Sequence, residues 1–151
     1  MQTTLDEEEE DDFTDIPQHI RVNPGYIVTM QGFLTVLETV GAACVLVLYV
    51  LAAGSVIVQW YPHVCFLVAF TYCLNNMLIV IAGISSPSTQ FHLPQTTFYL
   101  LYHYVAGFIY MLSGVLLHHS KSGMKYSDAS AFTSVALGLV HAFHSLVNSF
   151  R

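Results

Sequence analysis

Four residues stand out because their side chains do chemistry that their surroundings do not invite. Glu38, His103, His141 and His144 each sit inside a long apolar stretch of a 151-residue chain. A carboxylate at mid-bilayer costs about 2.5 kcal/mol or more, so Glu38 requires a proton or a partner. Helical rise suggests which partners it meets. Glu38 lies about 18 Å in from Tyr26, and His141 about 15 Å in from Arg151. His103 lies about 9 Å in from Thr97, and His144 about 10 Å in from Arg151. One acid and three histidines therefore fall in the same half of a bundle. Three kinds of chemistry fit the set. It can be a hydrogen-bonded structural network, a proton-responsive element built on imidazole, or a metal or haem site with His103 and His144 as axial ligands. We read the cluster as structural and assign no metal, no cofactor and no catalytic residue.

The elements that position these groups are apolar runs one bilayer thick. Spans are expected over about 26–53, 63–84, 98–117 and 129–147, since roughly 20 helical residues cross the hydrocarbon core. The chain is 54% hydrophobic and only 9% charged, against roughly 25% charged in soluble domains. Eight of its ten acids fall between Asp6 and Asp15. Beyond them stand only Glu38 and Asp128, with the bases Arg21, Lys121, Lys125 and Arg151. Residues 1–20 read as a disordered acidic cytosolic tail that repels itself and has no apolar face to bury. That tail either solubilises or docks a cytosolic partner. Residues 21–151 read as one four-span membrane domain. The N-terminus lacks the basic start and short apolar core of a secretory signal.

Each span carries polar or small residues at steps of three and four, which keeps them on one face. Gln31, Thr35, Glu38 and Ala42 align in the first span, and Ala69, Tyr72, Asn76 and Gly83 in the second. His103, Gly107, Tyr110 and Gly114 align in the third. Ser134, Gly138, His141 and Ser145 align in the fourth, with His144 beside them. Lipid cannot satisfy polar groups, so these faces should turn inward. Gly107, Gly114 and Gly138 should let backbones approach closely. The fold class is all-α: an integral membrane, antiparallel, M-shaped four-helix bundle with short loops. Charge counting over the loops is a tie between the two sides; the acidic head favours a cytosolic N-terminus.

Other signatures are missing. Cys44, Cys65 and Cys73 form no CxxC pair and read as free thiols packed as small hydrophobes, with Cys65 near a span end a weak palmitoylation site. There is no phosphate-cradling glycine loop, no GxSxG, no HExxH and no basic patch for nucleic acid. No charged rings or repeated filter residues suggest a pore.

The order of features resembles a known family. The first span reads RVNPGYIVTMQGFLTVLETVGAACVLVL, with Gln31 and Glu38 in it. An aromatic-rich loop with Trp60 and Tyr61 follows. The last span, KYSDASAFTSVALGLVHAFHSLV, opens on small residues. From Arg21 to Phe150 this resembles the MARVEL domain of the chemokine-like-factor, plasmolipin and myelin-and-lymphocyte protein group. Pro24-Gly25 and the alanine- and serine-rich start of the fourth span carry most of the likeness. The chain departs in lacking outer-loop cysteines and in having Tyr102-His103 where related third spans often carry an acid. The resemblance implies both termini in the cytosol, at the plasma membrane or on vesicular or endosomal membranes. It implies non-enzymatic work in vesicle trafficking, membrane apposition, junctions or fusion, with the lipid bilayer and other membrane proteins or self as partners. Two alternatives stand beside it: an accessory subunit stabilising a larger transporter or receptor, and a bis-histidine haem electron carrier.

Overall fold

The computed structural model describes residues 22–52, 61–120 and 126–150. The acidic tail, Trp60, both lysines and both arginines lie outside them. All the described elements are helical, with no strand among the described residues. Four helices are long: α1 (Met30–Ala52), α2 (Tyr61–Ser85), α4 (Thr97–His119) and α5 (Ser127–Ser149). A short α3 (Pro87–His92) and a 3-10 turn (Leu93–Gln95) join α2 to α4. Each long helix contains a 23-residue stretch apolar enough to cross a membrane, a length of about 34 Å. This is the pattern of a multi-pass membrane protein.

The first span begins later than expected. Pro24–Val28 forms a 3-10 turn, and Thr29 is extended, with φ −70° and ψ 154°. The Thr29 hydroxyl donates to Tyr26 O at 2.7 Å and accepts from Gly32 N–H at 3.1 Å. It thus caps α1 in the manner of an N-terminal threonine, and the helix starts at Met30 rather than near 26. The turn is latched to the far end of α2. Asn23 N–H donates to Ile84 O at 2.6 Å, and its side-chain amide donates to Gln90 Oε1 at 2.5 Å. Tyr26 is buried with its ring over Gly83, where an added Cβ would lie 2.7 Å from the ring.

The connection after α2 consists of two short helical turns bounded by extended Ser86 and Thr96. Ser86 accepts from Thr89 N–H at 3.2 Å and so caps α3, with Pro87 in the first turn. Thr96 does the same for α4, accepting from Tyr99 N–H at 3.2 Å. Helix α5 follows Tyr126, which adopts a left-handed φ of 70°.

Helix α1 packs on α2 and α5, and α4 packs on α2 and α5, closing a ring. Neighbours meet start to end. Gln31 meets Asn148 and Val45 meets Ser130 across α1 and α5. Tyr49 meets His63 and Thr39 meets Cys73 across α1 and α2. The α4–α5 contact is the most extensive, and the three expected packing glycines lie in it. A Cβ on Gly107 would stand 3.0 Å from Gly138 O, and one on Gly138 would stand 2.8 Å from Gly107 O. A Cβ on Gly114 would stand 2.7 Å from Ala131 O.

The polarity is inverted relative to a water-soluble protein. Phe33, Leu67, Phe108 and Phe132 are each more than half exposed. Glu38, Asn76, His103, Ser134, His141 and His144 are fully buried. Every polar face singled out in the sequence turns inward, as lipid requires. Cys65 is buried among the ring's apolar residues, so its thiol is not presented for acylation; Cys44 is the exposed one.

Close backbone approach at Gly114 generates a testable outcome. Gly114→Ala meets a rigid carbonyl and should cost about 1–3 kcal/mol. Gly41→Ala meets the end of a movable side chain, Leu137 Cδ1 at 2.8 Å, and should cost less. Thermal unfolding of the two variants in detergent checks the order.

Candidate functional site: a buried carboxylate among three imidazoles

Glu38 sits at the middle of the inward face of α1, with Thr35 and Gln31 one and two turns before it and Ala42 one turn after. Helix α5 presents His141 and His144 one turn apart, and α4 presents His103 one turn after Tyr99. All three imidazoles point Nδ1 at one oxygen. Glu38 Oε1 lies 2.8 Å from His144 Nδ1, 3.3 Å from His141 Nδ1 and 3.4 Å from His103 Nδ1. His103 Nδ1 and His141 Nδ1 are themselves 3.1 Å apart. The four residues that helical rise placed in one half of the bundle therefore meet at one point, supplied by three different helices.

The surroundings are aromatic. Tyr99 lies edge-on to His103 and His144, with ring centroids 4.5 and 5.5 Å away. Tyr110 stacks on His141 at 5.4 Å, and Tyr72 closes the group edge-on at 5.7 Å. His103 and His144 lie 3.9 Å apart, centroid to centroid, at 34°. Two axial haem ligands approach from opposite faces of a porphyrin. Rings stacked this closely leave no slot for one.

A polar track leads from the cluster toward the end of the ring where α1 begins and α5 finishes. His144 Nε2 lies 3.3 Å from the Tyr99 hydroxyl, which lies 3.3 Å from the Thr35 hydroxyl. Thr35 donates to Gln31 O at 2.8 Å, and the Gln31 amide donates to Asn148 Oδ1 at 3.3 Å. Asn148 borders a cleft of about 670 Å³ that Pro94, Thr96 and Leu100 also line. On the other side of the cluster is a hydroxyl layer. Ser134 donates to Tyr110 O at 2.9 Å and lies 3.2 Å from the Ser113 hydroxyl.

Several buried polar atoms lack a partner among the described residues: Glu38 Oε2, His103 Nε2, His141 Nε2 and the Tyr110 hydroxyl are among them. Unpaired polar atoms in so dry a setting are costly, about 1–3 kcal/mol each. Glu38, His103 and His144 offer ligand atoms within 4.8 Å of one another, the spacing of a candidate metal centre. With every one of these side chains at zero exposure, the cluster meets no bulk substrate in this conformation. It can hold helices together and hold protons or an ion.

Sequence reasoning named the acid and the three histidines but passed over Tyr99 and Asn148. The signal for Tyr99 was present: it is four residues before His103, on the same helical face. Asn148 had a weaker one, as a polar residue near a helix end that any interfacial site would explain. At the opposite end, His118 pairs with Asp128 at 3.1 Å in an exposed contact, apart from the cluster.

No protein-family model matches the chain, and neither does any curated protein or solved structure.

Charge at position 38 is the sharpest probe of this packing. Glu38→Gln keeps shape and polarity and should reach its membrane nearly normally. Glu38→Lys places a cation against three imidazoles with no carboxylate left, a loss of about 3–5 kcal/mol for an uncompensated buried charge. It should be retained or degraded. Delivery of tagged variants in cells and gel filtration of the solubilised protein check this; normal delivery of the lysine variant would show that position 38 meets water.

Proposed function

We propose that this chain is a non-enzymatic membrane protein of MARVEL type: an M-shaped, antiparallel four-helix bundle with both termini in the cytosol. Its work is to organise membrane during vesicle trafficking, membrane apposition, junction formation or fusion, at the plasma membrane or on vesicular membranes. The observation that carries this reading is the inverted polarity of the four long helices. Each turns large apolar side chains outward and a face of polar or small residues inward, with Thr71 and Asn75 of α2 the mid-helix exceptions. Such a surface fits hydrocarbon on all sides.

The described residues are almost entirely the four long helices and their connections. A protein of this build acts through its lipid-facing surface, its length against the bilayer, and contacts with neighbours in the membrane. The sequence likeness in the Asn23-Pro24-Gly25 segment and the small-residue start of α5 points the same way. Both segments have structural work: the first latches α1 to α2, and the second lets α5 approach α4 and α1.

Topology and association test the proposal. Epitopes placed at the two ends should both be reached from the cytosolic side, and the protein should stay in the pellet after alkaline carbonate extraction. Native purification should yield self-association or lipid-enriched fractions. Ends in opposite compartments would overturn the topology. A stoichiometric, detergent-resistant partner would replace the organising role with that of an accessory subunit.

A further inference from the structure

The geometry points to a buried site for one divalent transition-metal ion of the zinc class, held by Glu38, His103 and His144 with His141 adjoining, that clamps α1 to the α4–α5 pair.

The argument begins with protons. Each imidazole nitrogen carries one hydrogen or one lone pair. His103 Nδ1 lies 3.4 Å from Glu38 Oε1 and 3.1 Å from His141 Nδ1. As a donor it serves the carboxylate; a lone pair on His141 Nδ1 then avoids a clash of hydrogens, and the His141 hydrogen sits on Nε2, which has no partner among the described residues. As an acceptor it serves His141 and faces the carboxylate lone pair to lone pair. Meanwhile three nitrogens crowd Oε1, and Oε2 has no partner among the described residues. Hydrogen bonding alone spreads donors over both oxygens of a carboxylate, which offers about four acceptor positions. A cation seated between Oε1 and the imidazole nitrogens takes all of their lone pairs at once. Bidentate carboxylate ligation would also occupy Oε2.

The spacing fits. Zinc binds imidazole nitrogen at about 2.0–2.1 Å and carboxylate oxygen at about 2.0–2.2 Å. Ligand atoms around a tetrahedral ion at those lengths stand about 3.3 Å apart. Glu38 Oε1 stands 2.8 Å from His144 Nδ1 and 3.4 Å from His103 Nδ1, with the adjoining His141 Nδ1 at 3.3 Å. Imidazole nitrogen with one carboxylate and no thiolate is a donor set suited to zinc and its neighbours, and unlike the all-oxygen shell that calcium or magnesium takes.

Charge fits as well. No lysine or arginine lies among the described residues, so none of these faces Glu38 with a fixed positive charge. A divalent ion supplies that counter-charge while the imidazoles stay neutral, which is the form in which they ligate. The surroundings supply an outer shell. Tyr99 holds His144 by its Nε2 at 3.3 Å, the contact that turns Nδ1 toward Glu38. An approach is present too: the track through Tyr99, Thr35 and Gln31 ends at Asn148 and the cleft beside it. With Glu38 Oε2 or the adjoining His141 as fourth donor the ion has no open position, and the site has no exposed face, so its role is structural.

The test uses the full-length protein, purified in detergent or nanodiscs through a tag that needs no immobilised metal. Elemental analysis should find about one zinc per chain. Cobalt titrated into the stripped protein should give the visible bands of four-coordinate cobalt, and zinc should raise its melting temperature. Tyr99→Phe leaves all ligands in place and should weaken zinc about 10–100-fold, as loss of an outer-shell partner does. His144→Asn should abolish stoichiometric binding, and His118→Asn, at the exposed pair, should leave it intact. Should His144→Asn fail to fold, the wild-type and Tyr99→Phe titrations decide alone. A wild-type protein that takes up neither zinc nor cobalt overturns the proposal, as does unchanged affinity in Tyr99→Phe or full metal content in His144→Asn. These outcomes are separate from the topology experiments, which fail or succeed whether or not an ion is bound.

Discussion

One carboxylate oxygen facing three imidazole nitrogens fixes how the helices sit. Glu38 belongs to α1, His103 to α4, and His141 and His144 to α5, so the contact is satisfied only when three helices hold one register and one rotation. A helix that slid by one turn would move its member about 5.4 Å and leave a polar group against hydrocarbon. In water such a slip is cushioned by solvent. In lipid nothing replaces the lost partner, and a modest set of contacts acquires strong control over geometry. The residues around the cluster serve the same end. Tyr99 orients His144, Thr35 steadies Tyr99, and Tyr110 and Tyr72 wall the rings from the side.

Apolar burial, the usual driving force of folding, does little between helices already in hydrocarbon. Packing and polar contacts take its place, and the chain divides them by position. At the α4–α5 contact, Gly107, Gly114 and Gly138 bring backbones within reach of one another. At the α1–α5 contact, polar pairs dominate, from Gln31 with Asn148 to Ser130 with Val45 O. Helix α2 meets its neighbours through aromatic rings and one strong hydrogen bond, from the Tyr102 hydroxyl to Asn76 Oδ1 at 2.7 Å. To the Glu38 cluster it gives no polar ligand, only the Tyr72 ring that walls His141. The ring thus has a firmly specified trio and a fourth member attached by different means.

Much of this was legible in the sequence. Helical period placed Gln31, Thr35, Glu38 and Ala42 on one inward face, and simple rise put one acid and three histidines in the same half of the bundle. Such inferences work because a membrane helix has a single geometry and lipid enforces the inside-outside assignment. What could not be read was what depends on rotamers and on local capping. Depth alone does not say that three imidazoles present Nδ1 to the same oxygen. Nor does a hydroxyl such as Thr29 announce that it will stop a 3-10 turn and start a helix, since the same residue serves equally in mid-span, as Thr35 does. The connection after α2 holds two prolines, Pro87 and Pro94. Those prolines are compatible with short helical turns because each stands in a first turn, where no backbone donor is needed.

The latch at Asn23 gives the membrane domain a mechanical polarity. The backbone and side chain of Asn23 are fastened to Ile84 and Gln90, and Tyr26 is seated on Gly83. Tension arriving along the chain from residues before Asn23 is therefore delivered first to the end of α2 and to α3, and only afterwards to α1. The anchor point and the metal-class cluster sit on different helices. A tug at the amino end strains the α2–α3 corner while the trio around Glu38 stays unloaded.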